Sequence, residues 1–374
     1  MKSPKIVHIA LGSNEGERFD ILQNAVNRIF EDVGEILKIS SVYETASWGF
    51  AGNTFLNACI SVSTRFSAEE VLRKLLAIEA YFGRKRNDTR NYQNRTLDLD
   101  VLLFEDEVSE TETLTLPHPQ IQNRRFVLQP LNDIASKEVH PVLKKKIQQL
   151  LLEVKDDAGL SKIDAKLETP KVNNKFSSCN YIAVEGNIGA GKTSFSTMVS
   201  QDFNAKLILE RFKDNPFLPK FYEDQERYAF SLEMSFLADR YQQLSDDLAQ
   251  YDLFKDFVIS DYDVFKSLIF AKITLEEDEY SLYQKLFHLM YKELVKPDLY
   301  IYLYQNTELL QNIKKRGREY EQNIQPEYLM DINKSYLSFI KSQTNMKVQI
   351  IDISELDFVN NRKDYLKLLG EIKL

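Results

Sequence analysis

Apolar positions along this chain follow two rhythms, one of period two and one near 3.6. In the first third, residues 6–11, 36–43, 57–64 and 97–104 read as strands, the third alternating as N-A-C-I-S-V-S-T. Between them Phe19, Leu22, Val26 and Ile29 recur at helical spacing across 19–30. Ser67-Ala68-Glu69-Glu70 has the form of a capping box, in which a serine and a glutamate three residues on satisfy the first backbone donors of a helix, here running to about residue 82. The order β-α-β-β-α-β predicts a ferredoxin-like α+β domain over residues 1–155. A short amphipathic helix over 141–154 (Leu143, Ile147, Leu150, Leu151, Val154) closes it. Residues 156–178 lose the periodicity and turn polar, which predicts a linker. Beyond it, strands at 181–184, 206–209, 257–260, 299–304 and 347–351 alternate with helices at 192–201, 228–249, 280–294, 306–315 and 364–372. That alternation predicts an α/β domain, a doubly wound parallel sheet, over residues 179–374.

Composition narrows the setting. The 374 residues suffice for two domains with cores of their own. A net charge of −8 argues against a general binder of nucleic acid or anionic membrane. The two cysteines, Cys59 and Cys179, have neither metal-site nor disulfide-framework spacing, so a cytoplasmic, reducing setting is expected. The N-terminal apolar run is short for a signal peptide, and no stretch approaches the roughly 20 apolar residues that span a bilayer.

The first candidate chemistry is Y-I-A-V-E-G-N-I-G-A-G-K-T-S at 181–194, a strand followed by Gly-x-x-x-x-Gly-Lys-Thr. Glycines permit backbone angles that a Cβ forbids and let several N–H groups converge on one phosphate. The helix that follows adds its positive end. Gly186, Asn187, Gly189, Ala190, Gly191, Lys192 and Thr193 are therefore expected to cradle ATP, with Lys192 neutralising β/γ-phosphate charge and Thr193 holding Mg²⁺. Glu210, at the end of the 206–209 strand, is placed as a general base. Asp261, after the 257–260 strand, is placed as a second Mg²⁺ ligand. Arg316 and Arg318 end the 306–315 helix, where they suit a lid over the transferring phosphoryl group; a plain basic helix end would read the same way. The fold alone leaves nucleoside, nucleotide, shikimate or sulfate acceptors open.

The second candidate is Asp98-x-Asp100 within R-T-L-D-L-D-V-L-L-F. Period two puts both carboxylates on one strand face, where they repel unless a cation joins them. Mg²⁺ shared with substrate phosphates would serve. Arg84, Lys85, Arg86, Arg90, Arg95, Arg124 and Arg125 cluster nearby, a pattern that suits a polyphosphate with its metal.

These residues also carry a resemblance. I-A-L-G-S-N (9–14), V-Y-E-T (42–45), F-L-N-A (55–58), G-R-K-R (83–86), the 95–104 segment, L-P-H-P (116–119) and N-R-R-F-V-L-Q-P-L (123–131) resemble 6-hydroxymethyl-7,8-dihydropterin pyrophosphokinase, in family order. The resemblance implies transfer of the ATP β,γ-diphosphate to a pterin hydroxymethyl group in folate synthesis. It implies that Asp98 and Asp100 hold two Mg²⁺ ions, that Thr45 and Asn57 bond the pterin edge, and that Phe55 and Phe126 stack on its faces. Glu79, Arg84, Arg86, Tyr92, Arg95, His118 and Arg124 would line the ATP side. Phe55 stands where a Tyr is common in that family, and Trp48 where a smaller apolar residue is common.

Segments of the second half, E-G-N-I-G-A-G-K-T, D-N-P-F-L-P-K-F-Y-E-D, S-F-L-A-D-R, L-I-F-A-K and K-K-R-G-R-E-Y-E-Q-N-I, resemble bacterial deoxynucleoside kinases. The resemblance implies that Glu210 deprotonates a 5′-hydroxyl, that Lys192, Arg316 and Arg318 stabilise the γ-phosphoryl, and that Tyr222 and Glu321 hold the 3′-hydroxyl. It also implies a homodimer formed through this domain. Two positions depart from the family. Its acid-Arg-Ser signature appears as Asp261-Tyr262-Asp263, so either another cation replaces the arginine or catalysis leans on the lid. Glu233, with Arg240 seven residues on, stands where a Gln is common. A carboxylate accepts from an exocyclic amine but cannot also donate as Gln does, which favours an amino-bearing base, adenine foremost. The partners expected are therefore small molecules: a dihydropterin, a deoxynucleoside and ATP.

Overall fold

A computed structural model describes residues 3–84, 93–156, 158–170, 175–211, 215–250, 254–305, 313, 326–342 and 346–374. The chain divides into two compact units, Met1–Lys171 and Val172–Leu374.

In the first unit an antiparallel sheet is assembled from β1 (Lys5–Ser13), β2 (Glu35–Ile39), β3 (Tyr43–Thr45), β4 (Phe55–Thr64) and β5 (Asp98–Phe104). Helices α1 (Arg18–Asp32) and α2 (Ala68–Tyr81) pack on β1 and β5. The expected capping box opens α2, with Ser67 accepting from the Glu70 N–H and Glu70 accepting from the Ser67 N–H. The single strand expected at 36–43 is two short ones, both paired with β4. Between them the hydroxyl of Ser40 accepts from the Cys59 N–H and takes the place of a backbone acceptor, and β2 itself carries a register shift between Ile36 and Lys38. After the two-residue strands β6 (Ser109–Glu110) and β7 (Thr115–Leu116), α3 (Arg125–Ala135) lies over β4. Pro130 inside that helix disguised it in the sequence. Helix α4 is shorter than expected, Ile147–Glu153, because Lys146 at its start is extended and Lys144 has φ +54°.

The stretch expected to be a linker, 156–178, is largely built into the two units. Residues Leu160–Lys162 form β8, an antiparallel partner of β3. Further along, Gln23 and the backbone of Glu168 exchange two hydrogen bonds, and Leu167 is buried. Phe176 lies in the core of the second unit against Phe203 and Phe257. Polar composition hid the strand because only its backbone is needed for the pairing.

The second unit is a five-stranded parallel sheet in the order β10 (Lys206–Ile208), β11 (Val258–Ser260), β9 (Tyr181–Gly186), β12 (Leu299–Tyr304), β13 (Val348–Asp352). Alternation along β9 sends Ile182 and Val184 to one core, with α5 (Lys192–Asp202), and Tyr181 and Ala183 to the other. The second core is completed by α7 (Gln225–Ala249), α8 (Phe265–Thr274), α9 (Glu277–Tyr291) and α10 (Pro326–Ser342); α11 (Arg362–Glu371) joins the first. A short α6 (Leu218–Glu223) precedes α7. With a core on each face, the sheet is doubly wound as expected. The helix expected at 306–315 lies outside the described residues, apart from Ile313. No described helix is long and apolar enough to cross a membrane.

Replacing Ser161 by Pro removes a strand N–H and fixes φ within β8. We expect Ser161→Pro to lower the unfolding midpoint of the first unit by about 2–4 °C, the shift that about 1 kcal/mol produces at this size. Differential scanning calorimetry of the full chain reads it, and an unchanged first-unit transition would mean the pairing carries no stability.

Candidate active sites

The first site grows out of strand register. Gly12 of β1 pairs with Asn57 of β4 on one side and Asp98 of β5 on the other, and Ala10 likewise lies opposite Asp100. Directly paired residues share a face, so Asn57, Asp98 and Asp100 come to one side of the sheet. The start of α3 adds Arg124 and Phe126 to that side, and β3 adds Thr45. One pocket is lined by Gly12, Thr45, Trp48, Phe50, Phe55, Asn57, Arg95, Asp98, Asp100, Arg124 and Phe126. The Asn57 amide donates to the Thr45 hydroxyl at 2.9 Å, which fixes a polar edge in an aromatic slot. Trp48 and Phe126 rings stand 6.5 Å apart, the Arg124 guanidinium lies 4.9 Å from the Trp48 ring centre, and that of Arg95 lies 5.5 Å from Phe55. A flat heterocycle with donors and acceptors on one edge matches such a slot.

Asp98 accepts from Arg84 at 2.5 Å and from Arg95 at 2.9 Å. Asp100 is less well served: burial and the neighbouring Asp98 push its pKa up to about 7, against the pull of Arg124. Two carboxylates on one face, one of them electrostatically strained, suit Mg²⁺, which takes one or two carboxylates and completes its shell with phosphate and water. His118 is held neutral, its pKa pushed down to about 4 by burial and then by Arg124, and its Nδ1 accepts from the Gln120 N–H. Glu79 does not line open space as expected. It is almost fully buried, takes the Leu99 N–H at 2.8 Å and pairs with Arg84, so it braces β5 behind the aspartates. Arg86 and Tyr92 lie outside the described residues.

In the second unit the carboxyl ends of three adjacent strands converge. β9 runs into the glycine loop, β10 leads to Glu210 and β11 to Asp261. A Cβ on Gly186 would meet the Leu303 carbonyl oxygen at 2.6 Å. Gly191 has φ +79°, and a Cβ there would meet the Phe358 ring at 2.6 Å. Both glycines are thus required by close approach. The Lys192 ammonium donates to the carbonyls of Gly186 and Asn187, each at 2.9 Å. Burial, then the charge of Lys266, lowers its pKa to about 8. The Thr193 hydroxyl donates to Asp261 Oδ2, while Asp261 Oδ1 accepts the Glu210 N–H at 2.8 Å. Thr193 and Asp261 therefore present oxygen donors side by side, a set that fits Mg²⁺. No group of three or more His, Cys, Asp or Glu side chains forms a metal cage among the described residues, so phosphate and water oxygens would have to complete either site.

Glu210 is gripped at both oxygens. Arg240 donates to Oε1 through Nε at 2.9 Å and Nη2 at 2.8 Å, and Lys266 donates to Oε2 at 2.7 Å. Burial alone would raise its pKa, but the charges of Lys266 and Arg240 prevail and hold it well below the usual carboxylate range. Arg240 is thereby turned to Glu210 and to the Ser267 hydroxyl at 2.8 Å, rather than acting as a hydrogen-bond companion of Glu233. Glu233 accepts from Thr274 at 3.2 Å through Oε1, and its buried Oε2 has no partner among the described residues. Burial, opposed by Arg240 and Thr274, pushes its pKa up to about 7. Tyr222 lies half-buried on α6, edge-on to Phe221. Phe265 is core, against Tyr291 and Phe339. Arg316, Arg318 and Glu321 lie outside the described residues. Sequence reasoning missed Lys266, Gln243, whose amide donates to the Leu209 carbonyl beside Glu210, and Thr274. Only Lys266 left a trace, as a lone cation in the apolar run V-F-K-S-L-I-F.

The second unit is thus a phosphate-loop kinase, and the first presents a carboxylate-lined aromatic slot of the kind a nucleotide-dependent pterin enzyme needs. A family model described as 7,8-dihydro-6-hydroxymethylpterin-pyrophosphokinase matches residues 8–136, and one described as deoxynucleoside kinase matches residues 182–374. A Bacillus subtilis deoxyguanosine kinase is 38% identical over 198 residues, 52% of this chain and 96% of that protein. An Aquifex aeolicus 2-amino-4-hydroxy-6-hydroxymethyldihydropteridine pyrophosphokinase is 36% identical over 144 residues, 38% of this chain and 88% of that protein. A solved deoxyadenosine kinase from M. mycoides is 26% identical, covers 51% of this chain and 100% of its own, and has a TM-score of 0.44. The chain belongs to two families at once: its first unit to the hydroxymethyldihydropterin pyrophosphokinases, its second to the deoxynucleoside kinases.

Gly191→Ala forces a left-handed backbone onto a residue with a Cβ, at about 1–2 kcal/mol, and drives that Cβ into Phe358. The variant is expected to lose nucleoside phosphorylation at least tenfold while pterin diphosphorylation is unchanged; coupled assays of both activities on one preparation measure it.

Proposed function

We propose that the chain is a cytoplasmic bifunctional enzyme whose second activity phosphorylates deoxyadenosine at its 5′-hydroxyl, and whose first activity diphosphorylates 6-hydroxymethyl-7,8-dihydropterin on a ferredoxin-like scaffold. The observation that carries the second reading is the pair Glu210 and Lys192, a carboxylate and a phosphate-loop lysine at neighbouring strand ends. Glu210 accepts the proton of the 5′-hydroxyl as its oxygen bonds to the γ-phosphorus, and the bond to the β,γ-bridging oxygen breaks to release ADP. Lys192, with Arg316 and Arg318, offsets the charge that develops on the phosphoryl oxygens. Tyr222 and Glu321 orient the sugar. In the first unit the pterin hydroxyl oxygen bonds to the β-phosphorus as the bond from that phosphorus to the α,β-bridging oxygen breaks, AMP leaves and the hydroxyl proton passes to water. Thr45 and Asn57 hold the pterin edge, Phe55 and Phe126 its faces, and Arg84, Arg86, Arg95, Arg124 and His118 the diphosphate side. Asp98 and Asp100 in one site, and Thr193 and Asp261 in the other, are the groups that would hold Mg²⁺, which neutralises phosphate charge when bound. The second unit is also where we place a homodimer contact.

Base choice rests on Glu233. With Oε1 taken by Thr274, the free Oε2 accepts one exocyclic N–H, and in its protonated form the group also donates to a ring nitrogen. Adenine offers that pair. Deoxyguanosine is the second reading, favoured by the name of the Bacillus subtilis relative and by the ability of an ionised carboxylate to accept from guanine N1–H and its amino group.

Rates with the four deoxynucleosides test this directly; preference for deoxycytidine or thymidine, or phosphorylation of monophosphates only, would sink it. Glu210→Gln is expected to abolish nucleoside phosphorylation and to spare the pterin reaction, so loss of both would refute independent sites. A folded-state pKa of about 7 lies above the ordinary glutamate value of 4.5, so burial of Glu233 is tolerated at low pH and its cost builds as pH rises from about 4.5 to 7, levelling off above that. Glu233→Gln has no proton to lose. Its second-unit unfolding midpoint should therefore gain on the native chain between about pH 4.5 and 7 and hold that gain above pH 7, with a changed base preference; an advantage that does not grow with pH would mean the Glu233 pKa is not raised by folding.

A further inference from the structure

Lys266 is the least expected charge in the second unit. It is the second residue of α8, so its ammonium sits at the positive end of a helix, where cations are disfavoured. Only 8% of it is exposed, and its neighbours Phe265, Leu268 and Ile269 are core residues. Lys192 is close enough that the two ammonium groups repel. It shares the neutralisation of Glu210 with Arg240, which makes two bonds to Oε1, and its charge also acts on the buried Glu185 carboxylate. A lysine buried against the helix dipole and against a second lysine is tolerated only where carboxylates offset its charge. The Lys266 ammonium lies 2.7 Å from Oε2 of Glu210 and within electrostatic reach of the lysine of the phosphate loop. Tyr262, in the turn just before it, is fully buried and carries no charge to offer there.

We propose that Lys266 is a positioning residue for phosphoryl transfer, holding Oε2 of Glu210 toward the phosphate loop and supplying a fixed positive charge beside the transferring group. Arg240 sets one oxygen of the carboxylate and Lys266 the other, so the plane of the carboxylate is defined before substrate arrives. Such preorganised charge acts on the transition state more than on binding. The proposal rests on the reading of Glu210 as proton acceptor. That reading fails on its own if Glu210→Gln keeps its rate.

The test uses the full chain and the variants Lys266→Met and Lys266→Arg. Steady-state kinetics with a purine deoxynucleoside give kcat and KM, and calorimetric titration gives nucleoside binding. Lys266→Met should lower kcat by about 100-fold, the scale of losing one preorganised charge, with nucleoside KM and Kd within threefold. Lys266→Arg, which keeps the charge, should recover at least a tenth of the native kcat. A Lys266→Met enzyme with kcat within threefold of native would overturn the proposal. So would loss of nucleoside binding in parallel with kcat, or an Arg variant as slow as the Met variant with binding intact, since either outcome describes packing.

Discussion

A carboxylate taken out of water must be given cations, and each active site of this chain is built around that requirement. Asp98 is held by Arg84 and Arg95, Glu210 by Arg240 and Lys266. Each arrangement concentrates positive charge beside the acid, so that under the proposed function the groups restraining the carboxylate would also face an anionic substrate. Removing one member from such a buried set leaves its partner uncompensated and is far more damaging than loss of a surface pair.

Two unrelated backbones meet this requirement by different routes. In the first unit, cross-strand register places the chemistry on a sheet face, with Gly12 leaving space between Asn57 and Asp98 for a ligand. In the second, parallel strands deliver the loop glycines, Glu210 and Asp261 to one edge, and helix α5 begins where the phosphates would lie. Face and edge sites make different demands on sequence: the first needs alternation held across three strands, the second needs correct residues just past each strand end.

Much of this was legible in the residues. Glycine spacing at 186–191 announces a phosphate loop because few other structures need those residues, and Asp98-x-Asp100 announces a shared face through period two alone. Helices α3 and α8 were hidden, the first by Pro130, the second by an apolar stretch without a clean polar face, whereas α10 went unread although Leu329, Ile332, Tyr336 and Ile340 recur at helical spacing. Lys266 could not be assigned because its partner lies 56 residues away and only the fold joins them. Arg240 was assigned to the base because Glu233 shares its helix, whereas tertiary packing turns it to Glu210. Long-range ion pairs are what a local pattern cannot carry.

Strand β8 has a consequence for where the first unit ends. Without residues 160–162, β3 would border the sheet with its outer N–H and C=O groups open, and unpaired edges recruit other chains. With them, those groups are paired and the sheet ends in three mostly exposed residues, Leu160–Lys162. The segment that follows the first enzyme thus also completes its sheet, and a boundary drawn at residue 155 would leave the outer backbone groups of β3 without that partner.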